Sequence, residues 1–332
     1  MPPLRTAILG CGGFTHRHAA ILASLPEEVE LVGFCNRTIA KAEAYARQYT
    51  GGRAPVFADH HAMLETLDLD LLVINLPPYA HTDAVELAAA RGTHIFIEKP
   101  IALTSEKAWQ MVECVERAGV KTQVGFQLRF GAAVEKVKAL IASGQSGLPG
   151  LMAARYFCNS LHSEWWRQRH LSGGQLVEQV IHMVDLMRYL MGEPVSVFSR
   201  QANLFHQHIP GYTVEDVSAT TMTFPGGALG VIYATNGAIP NRWINDYRLV
   251  AGNLTVDFSD ANHAVLTYTA QEGAPTETIA SEQDMYRLEW LDLIAAIRTG
   301  GETRTPMREG ARSLDLALAA TRSATEGCEV KL

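Results

Sequence analysis

The chain has 332 residues, 47% hydrophobic and 19% charged, and its 28 Lys and Arg against 35 Asp and Glu leave a net charge of −7. That length suits two domains, and the composition excludes wholesale disorder and the diffuse basic surface that grips nucleic acid. The apolar runs are too short to span a bilayer and the N-terminus reads as a strand, so neither a membrane segment nor a secretory signal is expected.

Residues 1–125 alternate short apolar runs with amphipathic stretches. Strands are predicted at 5–9, 31–35, 71–76, 94–97 and 122–124. Helices are predicted between them at 40–48, at 83–91 with Thr82 as N-cap and Gly92 as stop, and at 106–118, closed by Gly119. Such alternation predicts a parallel, doubly wound α/β sheet. Beyond Phe130 the pattern changes. A helix at 132–142 leads into a strand at 151–157, and a long helix follows at 174–191. Residues 195–279 read mostly as β, with a hairpin at Pro225-Gly226-Gly227. Helices at 289–299 and 309–324 close the chain, the second announced by Thr305-Pro306. The expected architecture is an α/β domain over 1–125, then an α+β domain over 126–332 with a large, mostly antiparallel open sheet.

Cys11, Cys35, Cys114, Cys158 and Cys328 are scattered with no Cys-x-x-Cys, which points to a reducing cytoplasm rather than a disulfide framework. The pairs His16/His18, His60/His61 and His206/His208 lack the partner spacing of a structural zinc, so no metal is expected.

Gly10-Cys11-Gly12-Gly13-Phe14-Thr15 lies between the first predicted strand and the first helix. In that position glycines permit a tight turn and let backbone N–H groups approach a pyrophosphate at the helix N-terminus. Thr15 holds the third position of the fingerprint, where Gly or Ala is usual. This context favours dinucleotide binding over a plain structural turn. The second strand ends at Cys35-Asn36-Arg37, with Asn36 where an Asp or Glu would hold the ribose hydroxyls of NAD. A neutral amide does not repel a 2′-phosphate and Arg37 offers a cation, so NADP is slightly favoured over NAD.

Two further signals carry chemistry. Glu98-Lys99-Pro100 follows a strand at the carboxyl edge of the sheet, where ligands bind, and the prolyl bond is a candidate for cis. Lys99 is either a cation beside a nicotinamide or a surface lysine at a turn. In the helix predicted at 174–191, Glu178, His182 and Asp185 share one side at i, i+4 and i, i+3 spacing. A carboxylate beside an imidazole suits a general base.

Taken together, segments 10–15, 77–81 (Pro-Pro-Tyr-Ala-His), 98–100, 173–185, 215–216, 224–230 and 312–314 resemble the Gfo/Idh/MocA family (glucose-fructose oxidoreductase, inositol dehydrogenase, rhizopine catabolism) over nearly the whole chain. The resemblance implies a Rossmann domain followed by a domain whose open sheet commonly mediates oligomerisation, here a homodimer or homotetramer. It implies reversible oxidation of a secondary hydroxyl on a sugar, cyclitol or sugar derivative with NAD or NADP. His182 would then remove the hydroxyl proton and Lys99 would hydrogen-bond the reacting oxygen. Leu76, Pro77, His81 and Glu98 would lie along the cofactor. Three departures stand out: Glu178 where Asp is usual, Val180 for a common Gly, and Asn75-Leu76 for Ala-Thr. Trp166 and Arg167, just before the His182 helix, are expected to contact substrate together with Asp185. Two rival readings share these motifs: a bound cofactor recycled during elimination, epimerisation or glycoside cleavage, and a non-catalytic dinucleotide sensor.

Overall fold

The structure is a computed structural model that describes residues 1–332. The first unit opens with β1 (Leu4–Leu9), α1 (Thr15–Ala23), β2 (Val29–Cys35), α2 (Ile39–Thr50), β3 (Val56–Phe57) and α3 (His60–Thr66). It continues through β4 (Leu71–Ile74), α4 (Ala84–Ala90), β5 (His94–Ile97), α5 (Ser105–Ala118) and β6 (Thr122–Val124). All neighbouring strands pair in parallel, in the order β3-β2-β1-β4-β5-β6. This is the doubly wound order, and its reversal between β1 and β4 marks where such sheets take a ligand. Covered on both faces, the strands are near-continuous apolar runs, and Leu71–Ile74 is buried throughout. The two-residue β3 and the seven-residue α3 are too short to have left a periodic signal. Thr82, expected as a helix cap, instead has φ 48, and Asp83 takes the N-cap position.

The second unit begins with α6 (Ala132–Ala142), β7 (Pro149–Phe157), α7 (Arg169–Ser172), α8 (Gln175–Glu178) and α9 (Ile181–Met191). Seven strands follow: β8 (Ser196–Ala202), β9 (Val217–Thr223), β10 (Leu229–Thr235), β11 (Tyr247–Ala251), β12 (Leu254–Phe258), β13 (His263–Thr267) and β14 (Thr276–Ala280). Two helices, α10 (Met285–Thr299) and α11 (Met307–Glu326), and the short β15 (Val330–Lys331) end the chain. The nine-stranded sheet runs β14-β13-β12-β11-β7-β10-β9-β8-β15, antiparallel except for the β7–β10 pair. Burial alternates along β9, β10 and β11, because one face packs against α6, α9 and α11 and the other stays open.

The expectation of a second domain unbroken from 126 to 332 needs one change. The compact units are Met1–Gly125 with Tyr286–Ala311, and Phe126–Met285 with Arg312–Leu332. Trp290, Leu293 and Ile294 of α10 complete the core beside α1 and β5. Just beyond α10, Thr305 exchanges backbone and hydroxyl hydrogen bonds with Val124, at 2.8 Å each, and so covers the edge strand β6. An amphipathic helix shows which of its faces is buried but not which sheet buries it.

Candidate active site

The glycine loop is shaped by its own backbone and by two staples. Gly10 has φ +97, and a Cβ there would fall 2.5 Å from the Asn75 carbonyl oxygen, so only glycine fits. Around Gly12 and Gly13 an added Cβ would meet nothing within 4 Å. Thr15 is accommodated because its hydroxyl donates to the Gly10 carbonyl (2.8 Å) and accepts from the Gly12 N–H (3.3 Å). From α2, the Tyr45 hydroxyl donates to the Gly12 carbonyl at 2.6 Å. Phe14 is half exposed, edge-on to His18. The Asn36 Oδ1 accepts from the Cys11 N–H (3.1 Å) and its Nδ2 donates to the Thr38 carbonyl (3.0 Å), so this amide ties the loop to the end of β2. Arg37 is exposed and forms no ion pair. Burial pushes the Cys11 and Cys35 thiols up to about 12, which leaves them protonated and inert.

At the ends of β4 and β5 the side chains divide into open and occupied. Asn75 has both side-chain polar atoms buried without a hydrogen-bond partner in the chain. Strand alternation places it on the face of Val73, the side covered by α1. His81, expected along the cofactor, is instead a buried strut: its ring nitrogens meet the carbonyls of Ile101 (2.7 Å) and Leu76 (2.9 Å). Its pKa is lowered by burial, against the opposing influence of those carbonyls. Glu98 is likewise engaged, with Oε1 at 2.9 Å from His18 Nε2 and Oε2 accepting from the Lys99 backbone N–H at 3.2 Å. Lys99 is half-buried and its bond to Pro100 is cis.

The second unit holds His182. The single helix expected over 174–191 is two, because Gln179 and Val180 interrupt it. Val180 N–H reaches back to the Gln175 carbonyl and Met183 N–H to that of Val180, so the pitch first loosens and then tightens. Glu178 and His182 therefore do not stand one turn apart on a continuous helix. The Glu178 Oε2 accepts from the Trp166 indole N–H at 2.7 Å, and the His182 ring meets Phe126 edge-on at 6.1 Å. Gly174, at φ +105, passes so close to the buried Glu215 that a Cβ would fall 2.5 Å from Oε2. Glu215 in turn accepts the Leu176 N–H at the start of α8 (2.7 Å) and pairs with Arg169 (2.6 Å).

The residues expected to touch substrate are occupied elsewhere. Trp166 is 2% exposed, with its ring tilted against that of His162, and is committed to Glu178. The Arg167 guanidinium donates to the carbonyls of Leu161 and His162. Asp185 is 1% exposed and receives Arg129 through both oxygens, at 2.8 and 2.7 Å, with Ser313 Oγ at 3.0 Å. Sequence reasoning missed His162, whose φ is 53 and whose Nε2 lies 3.0 Å from Gln179 Nε2. It also missed Trp290, whose N–H donates to His18 Nδ1 at 3.1 Å across 272 positions. His60 and His61 both turn toward Asp83, at 2.8 and 3.3 Å, while Asp59 caps α3.

Comparison with known proteins decides the family. Residues 4–126 match the model described as oxidoreductase family, NAD-binding Rossmann fold, and residues 134–253 match the GFO/IDH/MocA C-terminal domain. The chain belongs to the Gfo/Idh/MocA family. It is 26% identical to scyllo-inositol 2-dehydrogenase (NAD(+)) of Bacillus subtilis, over 99% of this chain and 96% of that protein. With D-apiose dehydrogenase of Paraburkholderia graminis it shares 28% identity, over 98% and 89%. Among solved structures, WlbA dehydrogenase from Bordetella pertussis, in complex with NADH and UDP-GlcNAcA, superposes with a TM-score of 0.85 at 26% identity, over 99% of each chain.

This Gfo/Idh/MocA protein has the NAD-binding Rossmann fold of an oxidoreductase family, and its first unit fits a dinucleotide. The unfilled space at Gly12 and Gly13 and the orphaned Asn75 amide are what a ligand with phosphates and ribose hydroxyls would satisfy.

Proposed function

We propose that this oxidoreductase interconverts a secondary hydroxyl and a ketone on a sugar, cyclitol or sugar derivative, with Lys99 and His182 as its proton-handling pair. The reading rests on a Glu98-braced Lys99 turn in the first unit and a half-buried His182 in the second, in a chain whose relatives are named for dehydrogenating such compounds. The nicotinamide supplies the hydride acceptor or donor. The His182 imidazole takes the hydroxyl proton, and the Lys99 ammonium hydrogen-bonds the oxygen as charge develops on it. Glu178, steadied by Trp166, is the group we assign to accept a substrate hydroxyl. Trp166, Arg167 and Asp185 shape that surface from behind rather than touching substrate.

The loop backbone from Gly12 to Thr15 would hold the pyrophosphate, with Asn75, Leu76 and Pro77 along the nicotinamide half and Asn36 and Arg37 at the adenosine ribose. With no carboxylate at 36 and an unpaired Arg37 next to it, we assign NADP binding at least as strong as that of NAD. The open sheet face exposes Leu151, Leu229, Tyr233, Val250 and Val265, which supports a homodimer or homotetramer formed through it. Five unpaired thiols and the absence of any helix long and apolar enough to cross a membrane accord with a cytoplasmic enzyme.

The test is a panel of sugars, cyclitols and their keto forms with both cofactors, followed through the absorbance of the reduced nicotinamide. Lys99→Ala and His182→Ala are each expected to cut turnover at least about 100-fold while leaving cofactor affinity nearly intact. Activity surviving both changes refutes the assignment.

A further inference from the structure

We propose that Trp290 is a positioning residue for Lys99: its indole N–H sets the tautomer of His18, which holds Glu98 in place against the Lys99 backbone. The argument starts from hydrogen-bond chemistry. An indole nitrogen only donates, so the 3.1 Å contact from Trp290 Nε1 requires a bare lone pair on His18 Nδ1. The ring proton is therefore on Nε2, which lies 2.9 Å from Glu98 Oε1 and donates to it. The other carboxylate oxygen accepts the Lys99 N–H. Two donations thus run from α10 through α1 to Glu98, and the carboxylate accepts a third from the turn after β5, with no donor facing a donor.

The surroundings leave this chain little freedom. His18 and Trp290 are fully buried, and Trp290 stacks on Phe96 at 4.2 Å while meeting His18 edge-on. On the far side of the carboxylate, a Cβ on Gly125 would fall 2.7 Å from Glu98 Oε1 and 2.8 Å from Oε2. Glu98 therefore lies between an imidazole donor and a backbone that admits no side chain. Without the indole N–H, the buried Nδ1 lone pair loses its partner and the ring turns to find another. The Nε2–H donor turns with it, so Glu98 shifts and releases the Lys99 turn. The functional part of the inference rests on the catalytic role proposed for Lys99; the tautomer does not.

The experiment uses the full chain labelled with 15N-histidine, with the His18 signals identified by their loss in His18→Gln. The wild type is expected to show a protonated Nε2 and a bare Nδ1 at neutral pH, and Trp290→Phe, which keeps the stacked ring, is expected to lose that pure pattern. A His18 proton on Nδ1 in the wild type overturns the proposal. In steady-state assays Trp290→Phe and His18→Leu are expected to lower kcat about 10-fold with NADH affinity changed less than about 2-fold, since small displacements of a reacting group act on turnover. His18→Gln, whose amide can accept from Trp290 and donate to Glu98, should recover most of that loss. Gly125→Ala, which displaces the carboxylate from the other side, should lower kcat with the tautomer intact. Equal turnover in His18→Leu and His18→Gln also overturns the proposal. Full activity in Lys99→Ala would instead refute the catalytic assignment and leave the tautomer result standing.

Discussion

Asp185→Asn separates a structural carboxylate from a substrate-binding one. The Asp185 side chain is 2% exposed and that of Arg129 is 4%, and the pair is bidentate. Ser313 Oγ donates to the same carboxylate and Arg188 stands 3.9 Å from it, with Arg188 itself donating to Ser313 Oγ at 2.7 Å. An asparagine amide is neutral and turns one N–H toward a guanidinium that only donates. The change leaves a buried cation short of its counter-charge, a loss of about 3–5 kcal/mol. At about 2–4 °C per kcal/mol for a unit of this size, the melting temperature should fall on the order of 10 °C. Urea denaturation measures the free energy through the midpoint at constant m-value. In the fraction that remains folded, KM for the best substrate should stay within about 2-fold, because the carboxylate points into the core. A variant of unchanged stability with KM raised about 10-fold or more would show Asp185 to be a substrate ligand and refute the reasoning.

Arg37→Ala should weaken NADPH about 10-fold or more by titration while leaving NADH unchanged, as loss of one charge-assisted contact requires; equal losses would remove the 2′-phosphate assignment. Gly10→Ala combines a left-handed φ with a clash on the Asn75 carbonyl, so it should abolish dinucleotide binding and lower the melting temperature; normal binding would refute that geometry. Trp166→Phe frees Glu178 from its indole donor and should raise substrate KM several-fold with cofactor affinity intact; an unchanged KM would show that Glu178 does not meet substrate. Because burial lowers the His81 pKa, the unfolded chain takes up a proton below about pH 6.5 that the folded chain resists. Stability should therefore fall with acidification, by up to about 1.4 kcal/mol per pH unit from this residue. His94 and His162, lowered mainly by burial, act in the same direction, whereas Glu215, raised by burial, acts against them. A urea midpoint followed from pH 7.5 to 5.5 should slope less steeply in His81→Asn, and identical slopes would refute the assignment.

Much of the first unit was legible because its signals are local. The apolar runs of β1, β2, β4, β5 and β6, the cap at Gly119, and the glycine loop are each set within a few residues. The break at Gln179 and Val180 was not legible, since Glu178, His182 and Asp185 satisfy helical spacing whether or not the helix is continuous. Residue type also did not reveal the partners of Trp166, Arg167, His81 and Asp185 within the fold. Each is chemically suited to a ligand, but the group it meets comes from a carbonyl or side chain that spacing does not reveal.

The sequence alone determined the doubly wound sheet, the change to an antiparallel second sheet, and the residue types of the site, because hydrophobic period and turn chemistry act over one or two turns of chain. Only the tertiary structure decided that α10 returns to the first core, that Trp290 reaches His18, and that Asp185 belongs to Arg129. Those pairings depend on packing between elements far apart in the chain, where burial removes competing water and leaves each donor only the acceptor packed against it.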